Sequence, residues 1–197
     1  LKEANKPGVE RELKFARVDL EQIRGRLLEL EAERLGAPAE EENWLLDRAG
    51  ELSSKGAILR VRRDGRGAWL TWKGPALFED RVKLRSEIEI AVSTAEGVLK
   101  LLEQLGFVVV RRYQKVREEW RLGAETICLD HTPIGDFVEF EGEKAEALAK
   151  RCGFDPKQAV TKSYLALYDE YLASHPGAPH DMLFPEDGAD GGGGRVG

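Results

Sequence analysis

The sequence predicts an α+β fold in which a sheet closes on itself around a charged interior, with helices packed outside. Three observations carry this: strands in which charged residues alternate with apolar ones, charges of like kind recurring at i and i+2, and amphipathic helices that need an apolar surface to cover. The pattern is plainest in Val9–Phe15 (V-E-R-E-L-K-F). There Glu10, Glu12 and Lys14 share one face and Val9, Leu13 and Phe15 the other, with only Arg11 breaking the apolar side. Any half-solvated strand alternates in this way, so the weight comes from recurrence.

Asp19, with Gln22 three residues on, opens a helix whose Leu20, Ile23, Leu27 and Leu30 recur at helical intervals, predicted to run to about Leu35 before Gly36 and Pro38. Glu40–Glu42 reads as a solvated acidic loop and Asn43–Arg48 as a short strand. Ala57–Arg63 and Ala68–Lys73 flank Asp64-Gly65-Arg66-Gly67, the pattern of a β-hairpin. Arg60 and Arg62 alternate with Leu59 and Val61 on the first arm, and Thr71 and Lys73 with Leu70 and Trp72 on the second. In Lys83–Val92, Arg85, Glu87 and Glu89 oppose Leu84, Ile88 and Ile90. Ser93, with Glu96 in the capping-box position, opens a second helix striped by Val98, Leu101, Leu102 and Leu105 and ended by Gly106.

Phe107–Arg121 reads as a long strand with Tyr113, Lys115 and Arg117 on one face. Glu125–His131 sets Cys128 and Asp130 opposite Ile127 and Leu129, and Gly135–Glu141 sets Glu139 and Glu141 opposite Val138 and Phe140. A helix over Glu143–Arg151 and another beginning near Asp155 or Thr161, carrying Tyr164, Leu165, Leu167, Tyr168 and Leu172, close a single domain over residues 1–174. Residues 175–197 are rich in Pro, Gly and Asp and are expected to be disordered. A faint repeat links the halves: Glu10-x-Glu12, helix, Arg60-x-Arg62 is echoed by Glu87-x-Glu89, helix, Lys115-x-Arg117.

Composition narrows the function. Thirty Lys and Arg against 36 Asp and Glu give a net charge of −6, which argues against general binding of nucleic acid or an anionic membrane. Two cysteines make no disulfide framework, and three histidines, two of them near the C-terminus, argue against a zinc site. No apolar run approaches membrane-spanning length and no signal-peptide core is visible, so a cytoplasmic protein is expected; a homodimer is left open.

The charged faces together hold Glu10, Glu12, Glu87, Glu89, Asp130, Glu139 and Glu141, and Lys14, Arg60, Arg62, Lys73, Arg85, Lys115 and Arg117. A merely solvated face would scatter Thr, Ser and Gln among its charges. Burying these groups for stability alone is costly, because desolvation offsets the gain from ion pairing. A guest of both signs makes sense of them. Carboxylates bind hard cations such as Mg2+ or Mn2+, and Arg and Lys converge on phosphate oxygens. A metal–polyphosphate complex meets both needs, and with no P-loop motif in the chain the site is built from strand faces.

These residues resemble the CYTH family, the triphosphate tunnel metalloenzymes, over roughly Val9–Tyr168. The hallmark E-x-E-x-K is Glu10-Arg11-Glu12-Leu13-Lys14. It is followed in order by L-R-V-R (Arg60, Arg62), L-T-W-K-G (Lys73), R-S-E-I-E (Arg85, Glu87, Glu89), K-V-R (Lys115, Arg117), C-L-D (Asp130), F-V-E-F-E (Glu139, Glu141) and K-S-Y (Lys162, Tyr164). The resemblance implies an eight-stranded antiparallel closed β-barrel, a tunnel binding a triphosphate with one or two divalent ions. It implies Glu10, Glu12, Glu139 and Glu141 as metal carboxylates with Asp130 beside them, and Lys14, Arg60, Arg62, Lys73, Arg85, Lys115 and Arg117 as phosphate ligands. Glu10, Glu12, Lys14 and Lys73 would be the catalytic set, and Glu87 and Glu89 would orient bases or serve a second metal. Lys162 reads equally well as an exposed helix lysine, and Tyr164 as packing. Many members carry Y-F-D on the second strand, where this chain has Leu45-Leu46-Asp47, which argues against a mechanism using that phenol. Metal-dependent hydrolysis of inorganic tripolyphosphate, thiamine triphosphate or a nucleoside triphosphate is the leading expectation. A class IV-type adenylate cyclase and a non-catalytic polyphosphate binder are the alternatives.

Overall fold

In a computed structural model, which describes residues 8–185, ten strands form in chain order: β1 (Gly8–Ala16), β2 (Glu33–Arg34), β3 (Ala39–Asp47), β4 (Ile58–Asp64), β5 (Gly67–Lys73), β6 (Leu77–Glu79), β7 (Val82–Val92), β8 (Val108–Leu122), β9 (Glu125–Thr132) and β10 (Gly135–Glu141). Eight of them close a ring of antiparallel pairs, β1–β10–β9–β8–β3–β4–β5–β7, with β7 returning to β1. The short β2 and β6 pair with β8 and β7 outside that circuit. Four helices, α1 (Leu20–Glu29), α2 (Ala95–Gln104), α3 (Ala145–Arg151) and α4 (Tyr164–Ser174), complete the α+β barrel. None is long and apolar enough to cross a membrane.

Alternation turns the closed sheet inside out. Leu13, Phe15, Ile127, Leu129, Val138 and Phe140 leave the barrel wall outward and are buried with Ile23 and Leu27 of α1 and Leu148 and Ala149 of α3. A second apolar layer joins Leu46, Val61 and Ala68 to Ala95 and Leu102 of α2. Each fully buried Leu or Phe contributes roughly 1.5–3 kcal/mol, so the apolar layer lies between wall and helices. The opposite face of each strand is left to the charges.

Several boundaries differ from the sequence expectation, each for a local reason. Asp19 does cap α1, accepting from the Gln22 amide at 3.1 Å, but the helix stops at Glu29 rather than near Leu35. Glu31 takes φ 58° and Ala32 donates back to the Leu27 carbonyl, freeing Glu33 and Arg34 to pair with β8. Thr94, not Ser93, caps α2 through the Gly97 amide at 3.1 Å. The acidic run Glu40–Glu42 is no loop: it opens β3, which pairs on both edges with β4 and β8 and turns Glu41 inward, 1% exposed. Ser163 caps α4 through the Ala166 amide, while Pro156–Gln158 form only a 3-10 turn.

Disorder from His175 onward does not hold as far as Pro185. The chain returns along β8, where Met182 donates to the Arg112 carbonyl at 3.1 Å and accepts from the Gln114 amide at 2.8 Å. Met182 is fully buried with Tyr113, Phe137, Tyr164 and Tyr168, and Phe184 stacks on His131. Residues 1–7 and 186–197, which held the ends of the expected domain and tail, lie outside the described residues. Met182→Ala is expected to cost about 2–4 kcal/mol of stability, read as a lower urea midpoint; an unchanged midpoint would remove this strap from the core.

Candidate active site

The lumen of the barrel is a cavity of about 500 Å³ lined by eight basic and seven acidic side chains. Every residue of the predicted charged set reaches it except Asp130. They meet because strand alternation sends each i, i+2 pair inward and the register stacks the pairs: Glu12 lies opposite Glu141, Lys14 opposite Glu139, Glu10 opposite Arg85 and Lys73 opposite Glu87.

The carboxylates divide into two groups. Glu10, Glu12 and Glu141 each place an oxygen within 4.8 Å of the others, a hard three-oxygen donor set suited to a small divalent cation. Burial pushes the Glu141 carboxyl up to about 8; Glu139, Glu10 and Glu12 add to the shift and Arg117 opposes it. It is the closeness of three carboxylate oxygens, not the shift, that makes the residues present fit a cation. Lysines now sit against two of the three: Lys73 Nζ is 2.7 Å from Glu10 and Lys83 Nζ 2.6 Å from Glu12.

Glu139 and Asp130 behave differently. Glu139 pairs with Lys14 at 3.0 Å and with Arg117. Asp130, fully buried, accepts from Arg117 at 2.7 and 2.6 Å, from Lys115 at 3.1 Å and from the Tyr164 hydroxyl at 2.6 Å. Its position is behind the bases, away from the three-carboxylate cluster, and its oxygens are taken up in holding Lys115 and Arg117 in place. Tyr164 is therefore more than packing: it bonds Asp130 and lies under Lys14, 4.0 Å from its ring centroid.

The bases line the remaining wall. Glu89 accepts from Thr71 at 2.7 Å, from Arg62 at 3.1 Å and from Arg60 at 3.5 Å. Glu87 is 2.8 Å from Lys73. Arg85 is committed to the backbone, bonding the Gly74 carbonyl and, at 2.8 Å, the Gly56 carbonyl, so it has fewer donors left for a ligand than the other arginines. Lys162 lies at the surface, paired with Glu170.

Sequence reasoning missed Glu41 and Lys83. Lys83 stands two residues before Arg85, so extending the alternation by one step would have found it. Glu41 bonds Arg62 at 3.3 Å and sits 3.5 Å from Lys115. Burial alone would raise its carboxyl, yet Lys115, Arg117, Arg62 and Arg60 hold it at about 2. A carboxylate depressed from 4.5 stabilises the fold above pH 4.5, and that support is lost as pH falls toward 2. The contribution is on the order of 3 kcal/mol. Glu41→Gln is expected to lower stability at pH 7 and to flatten the decline between pH 4.5 and 2 in urea melts; an equally steep decline would take Glu41 out of the charge balance.

Comparison with known proteins agrees with this geometry. A putative adenylate cyclase of Methanocaldococcus jannaschii is 28% identical over 123 residues, 55% of this chain and 69% of that one. Among solved structures, a putative adenylate cyclase from Vibrio parahaemolyticus superposes with a TM-score of 0.71 at 21% identity, covering 83% of this chain and 99% of that one. The PH1819 protein of Pyrococcus horikoshii gives 0.69 at 28% identity, covering 82% and 99%. A Hippeastrum protein, described as a putative adenylyl cyclase with a dominant triphosphatase activity, gives 0.61 at 17% identity, covering 82% and 96%. The CYTH domain profile matches residues 9–163; with the closed eight-stranded barrel, this places the chain in the CYTH domain family.

Proposed function

We propose that the lumen binds a triphosphate with a divalent cation and hydrolyses one of its phosphoanhydride bonds. The observation that carries this reading is the convergence, in one cavity, of the Glu10–Glu12–Glu141 oxygens with Arg60, Arg62, Lys73, Lys115 and Arg117. Glu10, Glu12 and Glu141 would hold Mg2+ or Mn2+, which when bound supplies positive charge to phosphate oxygens. Lys73 and Lys83, relieved of Glu10 and Glu12, would turn their ammonium groups to the phosphates. Arg60 and Arg62, oriented by Glu89 and Glu41, would spread the charge that develops on the transferred phosphoryl group and its leaving phosphate. Lys115 and Arg117, braced by Asp130, would do the same from β8, two strands away from β4. Water would attack phosphorus in line: one P–O bond forms, the anhydride P–O bond breaks, the water's proton passes to the leaving phosphate or to solvent, and that phosphate departs among the bases.

The same electrostatics would serve attack by a ribose 3′-hydroxyl with pyrophosphate leaving. The description of the Methanocaldococcus relative favours this second reading. Hydrolysis is preferred because it asks for nothing beyond water and the charged wall. Incubating the protein with tripolyphosphate, thiamine triphosphate and ATP, each with Mg2+ or Mn2+, should release orthophosphate. Cyclic AMP and pyrophosphate from ATP would install the cyclase reading instead, and binding without any product would reduce the protein to a binder.

Glu10→Gln or Glu12→Gln should abolish metal-dependent turnover while circular dichroism stays native; wild-type rates in either would remove the cation site. Arg62→Ala should raise KM roughly ten- to a hundredfold, the worth of a charge-assisted contact, and an unchanged KM would take Arg62 out of the phosphate shell.

A further inference from the structure

The arginines of the lumen are held unequally. Arg117 meets Asp130 at 2.7 and 2.6 Å, the separations of strong charge-assisted bonds. Each contact of Arg60 and Arg62 is longer. Arg62 bonds Glu89 at 3.1 Å and Glu41 at 3.3 Å; Arg60 bonds Tyr113 at 3.3 Å, Thr71 at 3.4 Å and Glu89 at 3.5 Å. The Nε of each of these two arginines is buried and bonds nothing.

A second observation lies beneath them, inside the wall. Asn43 of β3 stands directly opposite Arg62 on one side and Tyr113 on the other. Both of those line the cavity, while Asn43 is fully buried under them. Neither its Nδ2 nor its Oδ1 has a partner. Two residues back on the same face, Glu41 has a buried oxygen, Oε2, without a hydrogen bond, 3.5 Å from Lys115 Nζ. Buried polar atoms are nearly always bonded, and leaving them unpaired is unfavourable. Five such atoms gather here in four residues of β3 and β4, and they are complementary. Arg60 Nε, Arg62 Nε and Asn43 Nδ2 donate; Asn43 Oδ1 and Glu41 Oε2 accept.

We infer that Asn43 is a positioning residue whose bonds form only when the lumen is filled. As Arg62 is drawn onto an anion, its Nε comes to Asn43 Oδ1, and Asn43 Nδ2 takes the free oxygen of Glu41. A network that is loose in the free protein closes in the bound one, so binding relieves groups left unpaired before the anion arrived. Arg117 is preset by Asp130, whereas the arginines of β4 are completed by the ligand. This rests on the triphosphate reading above and adds a further residue that serves the phosphate shell.

Titration calorimetry with tripolyphosphate in EDTA, where metal-dependent turnover is suppressed, reads the affinity, and urea melts of the free protein read stability. Asn43→Leu keeps the size of the side chain and removes an amide that is unpaired in the free protein. Its urea midpoint is expected to be unchanged or higher, while its Kd rises about tenfold, as the loss of two hydrogen bonds would give. Arg62→Lys keeps the charge and lacks the Nε–H donor. In that background Asn43→Leu should cost only about threefold, since one of the two bonds is already gone. Asn43→Ser, which is smaller, should also weaken binding and gives this readout if Asn43→Leu does not fold. A folded Asn43→Leu protein with a lower midpoint would mean that the amide is partnered before the ligand arrives, and would overturn the assignment. So would a Kd unchanged in the Asn43 variants, or a loss as large beside Arg62→Lys as in its absence. Those results sink this assignment alone; wild-type protein that binds no tripolyphosphate would sink the triphosphate reading with it.

Discussion

The structure depends on a balance of charge inside a closed sheet. Lumen carboxylates have bases against them, as in Glu10 to Lys73, Glu12 to Lys83 and Glu139 to Lys14, and behind the wall Asp130 meets Lys115 and Arg117. Removing ions from water costs several kcal/mol each, and attraction offsets this only when partners are close and well oriented. The two-sided layering meets that condition, since the apolar layer outside the wall fixes the strands and thereby the separations of the ions. Glu141 has a looser contact, with Arg117 at 3.9 Å, and burial pushes its carboxyl up to about 8.

The same balance accounts for how a ligand would be received. Glu89 beside them and Glu41 within the wall hold Arg60 and Arg62, and Asp130 with Tyr164 holds Lys115 and Arg117. These acids keep long, mobile cations pointed at the cavity before any anion arrives, so less side-chain freedom is lost on binding. Lys73 and Lys83 are in a different position, because their partners Glu10 and Glu12 belong to the three-carboxylate cluster. A cation entering there would take over the two carboxylates and release two ammonium groups.

Much of this was legible in the residues. Where charge and hydrophobicity alternate cleanly, as in Val9–Phe15 or Lys83–Val92, the period of two fixed both the strand and its inward face. Of β3 only the half from Asn43 was visible as a strand; its opening was hidden because Glu40, Glu41 and Glu42 erase the contrast between faces, and only pairing on both edges makes one of three adjacent glutamates a buried residue. Asp130 shows a different limit. Alternation correctly turned it inward, but periodicity carries no information about distance across a barrel, and the hydroxyl and bases that surround Asp130 come from β8 and α4. In the C-terminal stretch composition misled, because Met182 reaches a ready-made pocket and, with Phe184 on His131, ties down the eleven residues up to Pro185, whose composition is dominated by neither Gly nor Asp.

β1 bonds to β7 along one edge and to β10 along the other, partners that follow it by some seventy and more than a hundred residues. Such distant pairings bring a large loop-closure entropy before they return any contact energy, and they place the chain with slow-folding, non-local topologies. On the ribosome the opening strand must therefore wait, with one edge or both unpaired, until Glu141 has emerged. The last pairing to become available is also the one that sets Glu12 against Glu141, so a nascent chain holds no finished three-carboxylate cluster until its barrel is sealed.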